Sequence, residues 1–244
     1  MKTQFEYSGT ELEAMALAQN YQRWILSQFA PYLGRRVIEV GAGIGTFSQL
    51  LLSNGSVSEL LALEPAENLF PILQDRLAQY GRAQTRRGYL ENLPVTQSAD
   101  SVILVNVLEH VADDIRLLNT VHRILEPAGT LLLFVPALPW LYGTLDKGFA
   151  HQRRYKKSRL AEQLRLTGFR TETLRYVNLP GVVSWFVASR VLRRRTLKPG
   201  DVRLYDRWVV PWASRLERRW EPPIGQSLIA VARKREPHGM EGSR

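Results

Sequence analysis

The sequence predicts an α/β protein with a doubly wound, mostly parallel seven-stranded sheet, an N-terminal helix and a helical insertion before the last strand. Short apolar segments alternate with helical patterns through residue 135, which is typical of parallel strands joined by crossover helices. A glycine-rich turn over 41–45 connects the first strand directly to a helix. After Asp100, the run SVILVN over 101–106 is almost continuously apolar, as in a strand that is covered on both faces.

The individual elements are predicted where the pattern of apolar residues changes between a helical and a strand period. The first half is expected to contain a helix over 11–29, a strand over 36–40, a helix over 46–52, a strand over 59–63, a helix over 67–80 and a strand over 83–87. The second half is expected to contain a strand over 100–106, a helix over 114–125, a strand over 130–135, a helix over 158–167 and strands over 169–177 and 227–233. The last two strands are expected to be antiparallel, which makes the sheet mixed.

The chain divides into four segments. These are an N-terminal helical segment over 1–35, a core over 36–177 and 226–235, a helical insertion over 178–225, and a tail over 236–244. The insertion is basic and rich in tryptophan, and it interrupts the final pair of strands. We expect it to form a lid or cap.

Composition excludes several classes of protein. The chain contains no cysteine, so it has no disulfide, no thiolate metal site and no covalent cysteine intermediate. The first residues show no basic region that leads into an apolar one, so no secretory signal is expected. No apolar stretch reaches the roughly 20 residues that cross a bilayer. We therefore expect a cytoplasmic protein.

The net charge of +10 is concentrated in one part of the chain. Residues 151–220 hold 18 Lys and Arg against 5 Asp and Glu, whereas residues 1–150 hold 11 against 15. Within 181–220, tryptophans and apolar residues alternate with arginines, as in elements that lie at a lipid–water interface. We expect peripheral contact with the anionic inner face of a membrane, or, as the less favoured partner, a nucleic acid. A lid that packs its tryptophans on its own core is the structural alternative.

The sharpest motif is Glu39-Val-Gly-Ala-Gly-Ile-Gly45. Glycines allow left-handed turns and let the backbone approach a ligand closely. The dinucleotide fingerprint G-x-G-x-x-G would place glycine where Thr46 stands, so the spacing here is G-x-G-x-G. Glu64 follows the second strand, at the place where a carboxylate can accept hydrogen bonds from both hydroxyls of a ribose.

Residues 36–135 resemble the class I S-adenosylmethionine-dependent methyltransferases, which have a Rossmann-like fold, and their motifs are similar to those of type 11 members. That family has the glycine motif E/D-x-G-x-G-x-G and an acidic residue at the end of its second strand. Gly88-Tyr-Leu-Glu-Asn-Leu-Pro94 is similar to its adenine-side loop, and Asn106-Val-Leu-Glu-His-Val111 is similar to the segment after its fourth strand. The resemblance implies S-adenosylmethionine as the cofactor and S-adenosylhomocysteine as the product, with methyl transfer by in-line displacement.

The resemblance also implies which residues contact the cofactor. They are Glu39, Gly41, Ala42, Gly43, Gly45, Glu64, Pro65, Leu90, Glu91, Asn106 and Val107. The backbone around Gly41 and Gly43 would face the methionine and ribose portions, and Leu90 with Glu91 would face the adenine edge. Many relatives have aspartate where Tyr89 stands, which removes one expected hydrogen bond to the adenine amine.

The catalytic candidates come mainly from residues 136–157, because this loop follows the fifth strand and is expected to overhang the transferred methyl group. His151 is the preferred general base, since an unperturbed imidazole titrates near pH 6.5, and Asp146 either orients it or acts alone. His110 is the second base candidate, with local packing as its alternative role. Arg153 or, preferably, Arg154 would hold an anionic group of the substrate, in a pocket that is lined by Tyr142 and Tyr155. An internal network among these side chains is the structural alternative, and no cluster of His and carboxylate residues suggests a metal.

The favoured function is methyl transfer to oxygen of a small or lipid-like acceptor. RNA methylation is the alternative, because basic surfaces with aromatic residues also suit single-stranded nucleic acid. Base-amine methyltransferases commonly carry N/D-P-P-aromatic after the fourth strand, where this chain has Asn106-Val-Leu-Glu109. A non-catalytic binding module is the third possibility.

Overall fold

The computed structural model of the chain describes residues 5–7, 9 and 11–235. Its centre is a seven-stranded sheet in the order β3-β2-β1-β4-β5-β7-β6. The strands are β1 (Arg36–Val40), β2 (Glu59–Glu64), β3 (Ala83–Arg87), β4 (Ala99–Val105), β5 (Leu125–Pro136), β6 (Phe169–Val177) and β7 (Ser227–Lys234). β7 runs antiparallel to both β5 and β6, and the pairs among the first five strands are parallel. The predicted fold class and the mixed sheet are confirmed.

Ten α-helical segments flank and cap the sheet in the described part of the chain. They are α1 (Glu11–Ala16), α2 (Gln19–Phe29), α3 (Thr46–Ser53), α4 (Phe70–Leu77), α5 (Asp114–Ile124), α6 (Thr144–Gly148), α7 (Lys157–Leu166), α8 (Leu179–Phe186), α9 (Pro199–Leu204) and α10 (Val210–Leu216). Two π-helical turns, Val187–Val191 and Tyr205–Val209, extend α8 and join α9 to α10. No helix among residues 11–235 is long and apolar enough to cross a membrane.

The differences from the predicted elements are local. The single helix expected over 11–29 is broken between Ala16 and Gln19, and α6 lies inside the loop expected over 136–157. β5 begins at Leu125 instead of Thr130, because residues 126–129 form an irregularity in which Ala128 has φ of 57°. The predicted tail over 236–244 lies outside the described residues.

Both faces of the sheet are buried, as the continuous apolar strands predict. Neighbouring residues of a strand point to opposite faces. Accordingly, Val102 belongs to one apolar core and Ile103 to the other. The strand order reverses between β1 and β4, so the carboxyl ends of these two strands border the crevice in which doubly wound sheets bind ligands.

Two buried carboxylates hold the insertion in place: one binds it to α2, and the other joins its two ends. Asp206 accepts hydrogen bonds from the backbone N–H groups of Asn20 and Tyr21, at the start of α2. Glu217 accepts from the N–H groups of Asn178 and Leu179, at the start of α8. Because buried carboxylates need such partners, these contacts fix the insertion over the carboxyl ends of the strands.

Candidate functional site

The glycine turn after β1 adopts the backbone conformation that its sequence predicts. Gly41, Gly43 and Gly45 have φ of 68°, 56° and 80°, which is the left-handed region that favours glycine. Gly41 and Gly43 line a large cavity at the carboxyl edge of the sheet. Gly45 does not line it: a Cβ there would lie 2.9 Å from Leu73 Cδ1, so this glycine allows α4 to pack closely. The prediction that Gly45 contacts the cofactor is therefore corrected.

Glu64 is held beside this turn by two backbone donors. Its Oε2 accepts from the Gly43 N–H at 2.8 Å, and its Oε1 accepts from the Ala66 N–H at 2.8 Å. Burial raises the pKa of Glu64, and the two N–H groups partly offset that rise. A carboxylate can accept about four hydrogen bonds, so two acceptor positions remain on a side chain that lines the cavity.

Glu39, at the end of β1, is a second acidic side chain on the cavity wall. It is 3% exposed and accepts a hydrogen bond from the Ser48 hydroxyl. Burial raises its pKa to about 8, so Glu39 is mostly neutral at pH 7. The turn therefore presents one neutral acid and, at Glu64, a second carboxyl oriented by main-chain donors.

The cavity has a volume of about 1670 Å³ and continues from the glycine turn to the insertion. It brings together all but one of the residues that the resemblance implies for the cofactor. Lining residues among them are Glu39, Gly41, Ala42, Gly43, Glu64, Pro65, Leu90, Glu91, Asn106 and Val107. Space for a nucleoside and for an acceptor therefore exists in one continuous cavity.

His151 lies on the wall of the same cavity and is oriented by Asp146. Its Nδ1 is 3.0 Å from Asp146 Oδ1. Burial acts to raise the pKa of Asp146, but the His151 hydrogen bond, the Arg154 charge and the Gly143 N–H together hold it below its usual value. An ionised Asp146 only accepts, so Nδ1 carries the proton and Nε2 of a neutral His151 has a free lone pair.

Asp146 itself is fully buried, and its two oxygens are occupied. Arg154 Nε donates to Oδ1 at 2.6 Å, while the Gly143 N–H and Trp185 Nε1 donate to Oδ2 at 2.9 and 3.1 Å. Asp146 does not line the cavity. Of the two predicted roles, the structure supports orientation of His151 and corrects the role in which Asp146 acts alone.

Arg154 lies on the wall of the cavity, as expected for a substrate contact. Besides Asp146, it donates through Nη1 to the Ala137 carbonyl at 2.9 Å, and its guanidinium carbon lies 4.6 Å from the centre of the Trp185 ring. Its Nη2 is buried and has no hydrogen-bond partner among the described residues. One N–H group of this cation is thus left without an acceptor in the described chain, inside a side chain that is fully buried.

The two tyrosines predicted to line the pocket do not do so. Tyr155 is fully buried, and its hydroxyl lies 3.1 Å from both the Leu108 carbonyl and the Asp114 carboxylate. Tyr142 donates its hydroxyl to the His151 carbonyl at 2.8 Å. Both predictions are corrected, because these side chains support the loop that carries His151.

Comparison with known proteins agrees with this geometry. Residues 38–133 match the family model described as a methyltransferase domain. An uncharacterized methyltransferase of Mycobacterium tuberculosis is 29% identical over 108 residues, which cover 44% of this chain and 41% of the relative. A ubiquinone biosynthesis O-methyltransferase of Xanthomonas campestris is 28% identical over 148 residues, covering 54% of this chain and 61% of the relative. The chain thus covers less than two thirds of the length of these relatives.

The fold comparison covers more of the chain. An S-adenosylmethionine-dependent methyltransferase from Mesorhizobium loti superposes with a TM-score of 0.59 at 18% identity, over 89% of this chain and 98% of that one. Residues 38–133 thus match a methyltransferase domain, and the fold of the chain is that of methyltransferases of known structure. The matched family segment contains the glycine turn, Glu64, Leu90 and Asn106, but it ends before His151 and the insertion.

The candidate site also contains residues that the sequence did not predict. Tyr7 and Met15 of the N-terminal segment line the cavity, as do Asn178 and Trp185 of the insertion. Asn178 follows β6 and has φ of 63°. An asparagine directly after a strand indicates a turn, but it does not indicate a contact with a ligand. The N-terminal residues carry no motif, so only the three-dimensional fold reveals their position.

A group of potential metal ligands on the cavity wall corrects one premise of the sequence analysis. Glu109, His110 and His151 have ligand atoms that all lie within 4.8 Å of one another. Both carboxylate oxygens of Glu109 are buried without a hydrogen-bond partner in the described chain, and Oε1 is 3.9 Å from His151 Nε2. Burial raises the pKa of Glu109 to about 7 and lowers that of His110 to about 4. These three residues could hold a divalent cation, or Glu109 could exchange a proton with His151.

Proposed function

We propose that this chain transfers the methyl group of S-adenosylmethionine to a hydroxyl oxygen of a small or lipid-like acceptor. The observation that carries the proposal is the position of His151. This imidazole is fixed by a buried carboxylate, and it lies on the wall of the same cavity as the glycine turn and Glu64. A nucleoside site and a base that can take a hydroxyl proton thus face one space.

The cofactor half of the cavity suits S-adenosylmethionine. Glu64 keeps acceptor positions for the ribose hydroxyls, while Gly41 and Gly43 keep side chains out of the path over the turn. When bound, S-adenosylmethionine supplies an electrophilic methyl group, and the electrons of its carbon–sulfur bond stay on sulfur as S-adenosylhomocysteine forms. Leu90 and Glu91 lie on the wall that would border the adenine.

In the half of the cavity next to His151, methyl transfer mainly needs alignment of the acceptor oxygen with the methyl group, exclusion of water and removal of one proton. His151 Nε2 accepts the proton of the acceptor hydroxyl, and Asp146 stabilises the imidazolium that results. Glu109 Oε1 lies 3.9 Å from that nitrogen, so an ionised Glu109 carboxylate would also stabilise the imidazolium. The Nη2 group of Arg154 has no hydrogen-bond partner among the described residues but is fully buried, so it would hold an anionic part of the acceptor only after the cavity wall opens beside it.

The lining of the cavity favours an apolar acceptor. Around the polar groups already described, residues of the insertion and of α1 supply mostly aliphatic and aromatic side chains, for example Met15, Val183 and Leu192. Such a lining binds hydrocarbon and contributes little to recognition of a nucleotide. This favours a lipid-like acceptor over RNA, which remains the alternative together with a non-catalytic role.

The test combines calorimetry with a methyl-transfer assay. Purified protein is titrated with S-adenosylmethionine, and cell extracts are incubated with the enzyme and an isotopically labelled methyl donor, followed by mass spectrometry. Gly43→Val should abolish cofactor binding and Glu64→Ala should weaken it, whereas His151→Ala should lower turnover at least tenfold with unchanged cofactor affinity. Wild-type cofactor binding by both Gly43→Val and Glu64→Ala would place the site elsewhere, and unchanged turnover of His151→Ala would exclude His151 as the base.

A further inference from the structure

The last helical part of the insertion exposes an apolar stripe to solvent. Leu204, Trp208, Trp212 and Leu216 follow one another at four-residue spacing over α9, the π-helical turn and α10. Their side chains are 63%, 65%, 67% and 44% exposed. The buried side of the same segment contains two carboxyl groups, those of Asp206 and Glu217. A surface helix usually exposes polar residues, so a continuous apolar stripe on the outer side of this segment is unusual.

A second stripe lies on α8 and its π-helical extension. Val183, Val187 and Val191 also follow at four-residue spacing, and they are 66%, 41% and 61% exposed. Phe186 beside them is 42% exposed, and its ring centre is 6.5 Å from that of the exposed Trp140. An exposed apolar surface of this extent is uncommon in a protein that functions without a partner.

Both stripes border the cavity that contains His151. Val183 and Val187 of one stripe and Leu204 and Trp208 of the other belong to its lining. A side chain that lines a cavity and is also about half exposed lies at the opening of that cavity. The opening is therefore framed by the two stripes, which we call the insertion rim (Val183, Val187, Val191, Leu204, Trp208, Trp212 and Leu216).

The charged residues around the insertion rim are almost all positive. Residues 181–220 contain ten Lys and Arg against three Asp and Glu. Asp206 and Glu217 are buried and bound to backbone N–H groups, and Asp201 is paired with Arg194. Exposed arginines flank the first stripe, among them Arg203, Arg207, Arg215 and Arg219.

We propose that the insertion rim docks on the surface of an anionic lipid bilayer, with the opening of the cavity facing the lipids. Tryptophan, leucine and valine would enter the region between headgroups and acyl chains, while the arginines would contact lipid phosphates. The further step, that the acceptor is a lipid entering the cavity sideways from the bilayer, rests on the proposed function.

Two other occupants fit the rim less well. A second copy of this chain would bring two surfaces of the same positive charge together. A single-stranded nucleic acid would need aromatic platforms for its bases, but five of the seven rim residues are aliphatic and cannot stack. The mixture of aliphatic side chains, tryptophan and arginine is the chemistry of a lipid interface.

The test is flotation of the purified chain with vesicles of phosphatidylcholine alone or with 30% phosphatidylglycerol, without methyl donor. The double variant Trp212→Ser/Leu216→Ser changes rim residues that do not line the cavity. Leu166→Ser is the matched control, because Leu166 is 63% exposed on α7, outside the insertion. We expect the wild type and Leu166→Ser to float with anionic vesicles, less so at high salt, and the double variant to bind at least tenfold more weakly.

Calorimetry with S-adenosylmethionine, in the absence of vesicles, separates the two proposals. The double variant should keep the cofactor affinity of the wild type, so a loss of flotation without loss of cofactor binding supports the rim as a lipid surface. Equal flotation of the double variant and the wild type would overturn the proposal. So would absence of flotation, binding to RNA but not to vesicles, or a dimer in solution that the double variant abolishes.

Discussion

Replacement of Glu39 by glutamine should remove a large part of the pH dependence of the protein's stability. Glu39 is buried at the start of the glycine turn, and burial raises its pKa from 4.5 to about 8. Below pH 4.5 the carboxyl is protonated in both the folded and the unfolded state. Between pH 4.5 and 8 only the folded state keeps the proton, so the free energy of unfolding falls as the pH rises.

The size of the effect follows from the width of that interval. The difference between 8 and 4.5 is about 3.5 pH units, and each unit corresponds to 1.36 kcal/mol, so the full effect is about 5 kcal/mol, of which about 4 kcal/mol falls between pH 4.5 and pH 8. Glutamine has no proton to release. Between pH 4.5 and 8, the free energy of unfolding of Glu39→Gln should therefore fall less than that of the wild type. Any destabilisation caused by the amide itself is the same at every pH and does not change this slope.

Urea denaturation of the ligand-free protein at pH 5, 6, 7 and 8 measures the slope directly. Glu109, with a pKa raised to about 7, contributes in the same direction, so the quantity of interest is the difference between variant and wild type. Glu59→Gln, which removes an exposed carboxylate from the start of β2, is the control. Parallel pH profiles for Glu39→Gln and the wild type would show that Glu39 is ionised in the folded protein, and the argument from burial would fail.

Four further results are expected. Asp146→Asn should cost about 3–5 kcal/mol in urea denaturation, because it leaves the buried Arg154 charge without its partner; a loss below 1 kcal/mol would contradict the pairing. Gly45→Ala should cost roughly 1–3 kcal/mol through its left-handed φ and its contact with α4, while calorimetry should find cofactor affinity unchanged. Tyr155→Phe should lower the free energy of unfolding by about 1 kcal/mol without changing turnover; a large loss of turnover would show that Tyr155 contacts the substrate after all. EDTA should leave turnover unchanged if His151 is the base; a loss that divalent cations restore would show that Glu109 and its neighbours hold a metal.

The elements that could be predicted to the residue are those with strong local signals. β1, β3 and β6 have the expected bounds, because glycine, proline or charged residues close to each end interrupt the strand pattern of the sequence. The helix expected over 11–29 breaks at Leu17 and Ala18, where the sequence has no proline or glycine. The break lies where Asp206 binds the N–H groups of Asn20 and Tyr21, a long-range contact that local periodicity does not contain.

The same distinction applies to the site. Positions on the glycine turn, Glu64 and Asn106 follow strands directly, so the strand order alone brings them to one edge. The pairing of Asp146 with His151 could be predicted from the sequence, because the two residues are five positions apart in one loop. Glu109 and Trp185 are 42 and 34 positions from His151, and only the folded loop and insertion bring the three together.

Trp185 connects the two halves of the molecule that the proposals treat separately. It belongs to α8, which carries one stripe of the insertion rim, and its indole donates to the Asp146 carboxylate that fixes His151. Arg154 packs over the same indole and binds the same carboxylate. A displacement of α8 would therefore alter the hydrogen bonds of Asp146, which orients the imidazole. If both proposals hold, contact of the rim with a membrane would be coupled to the orientation of His151 through Trp185 and Asp146.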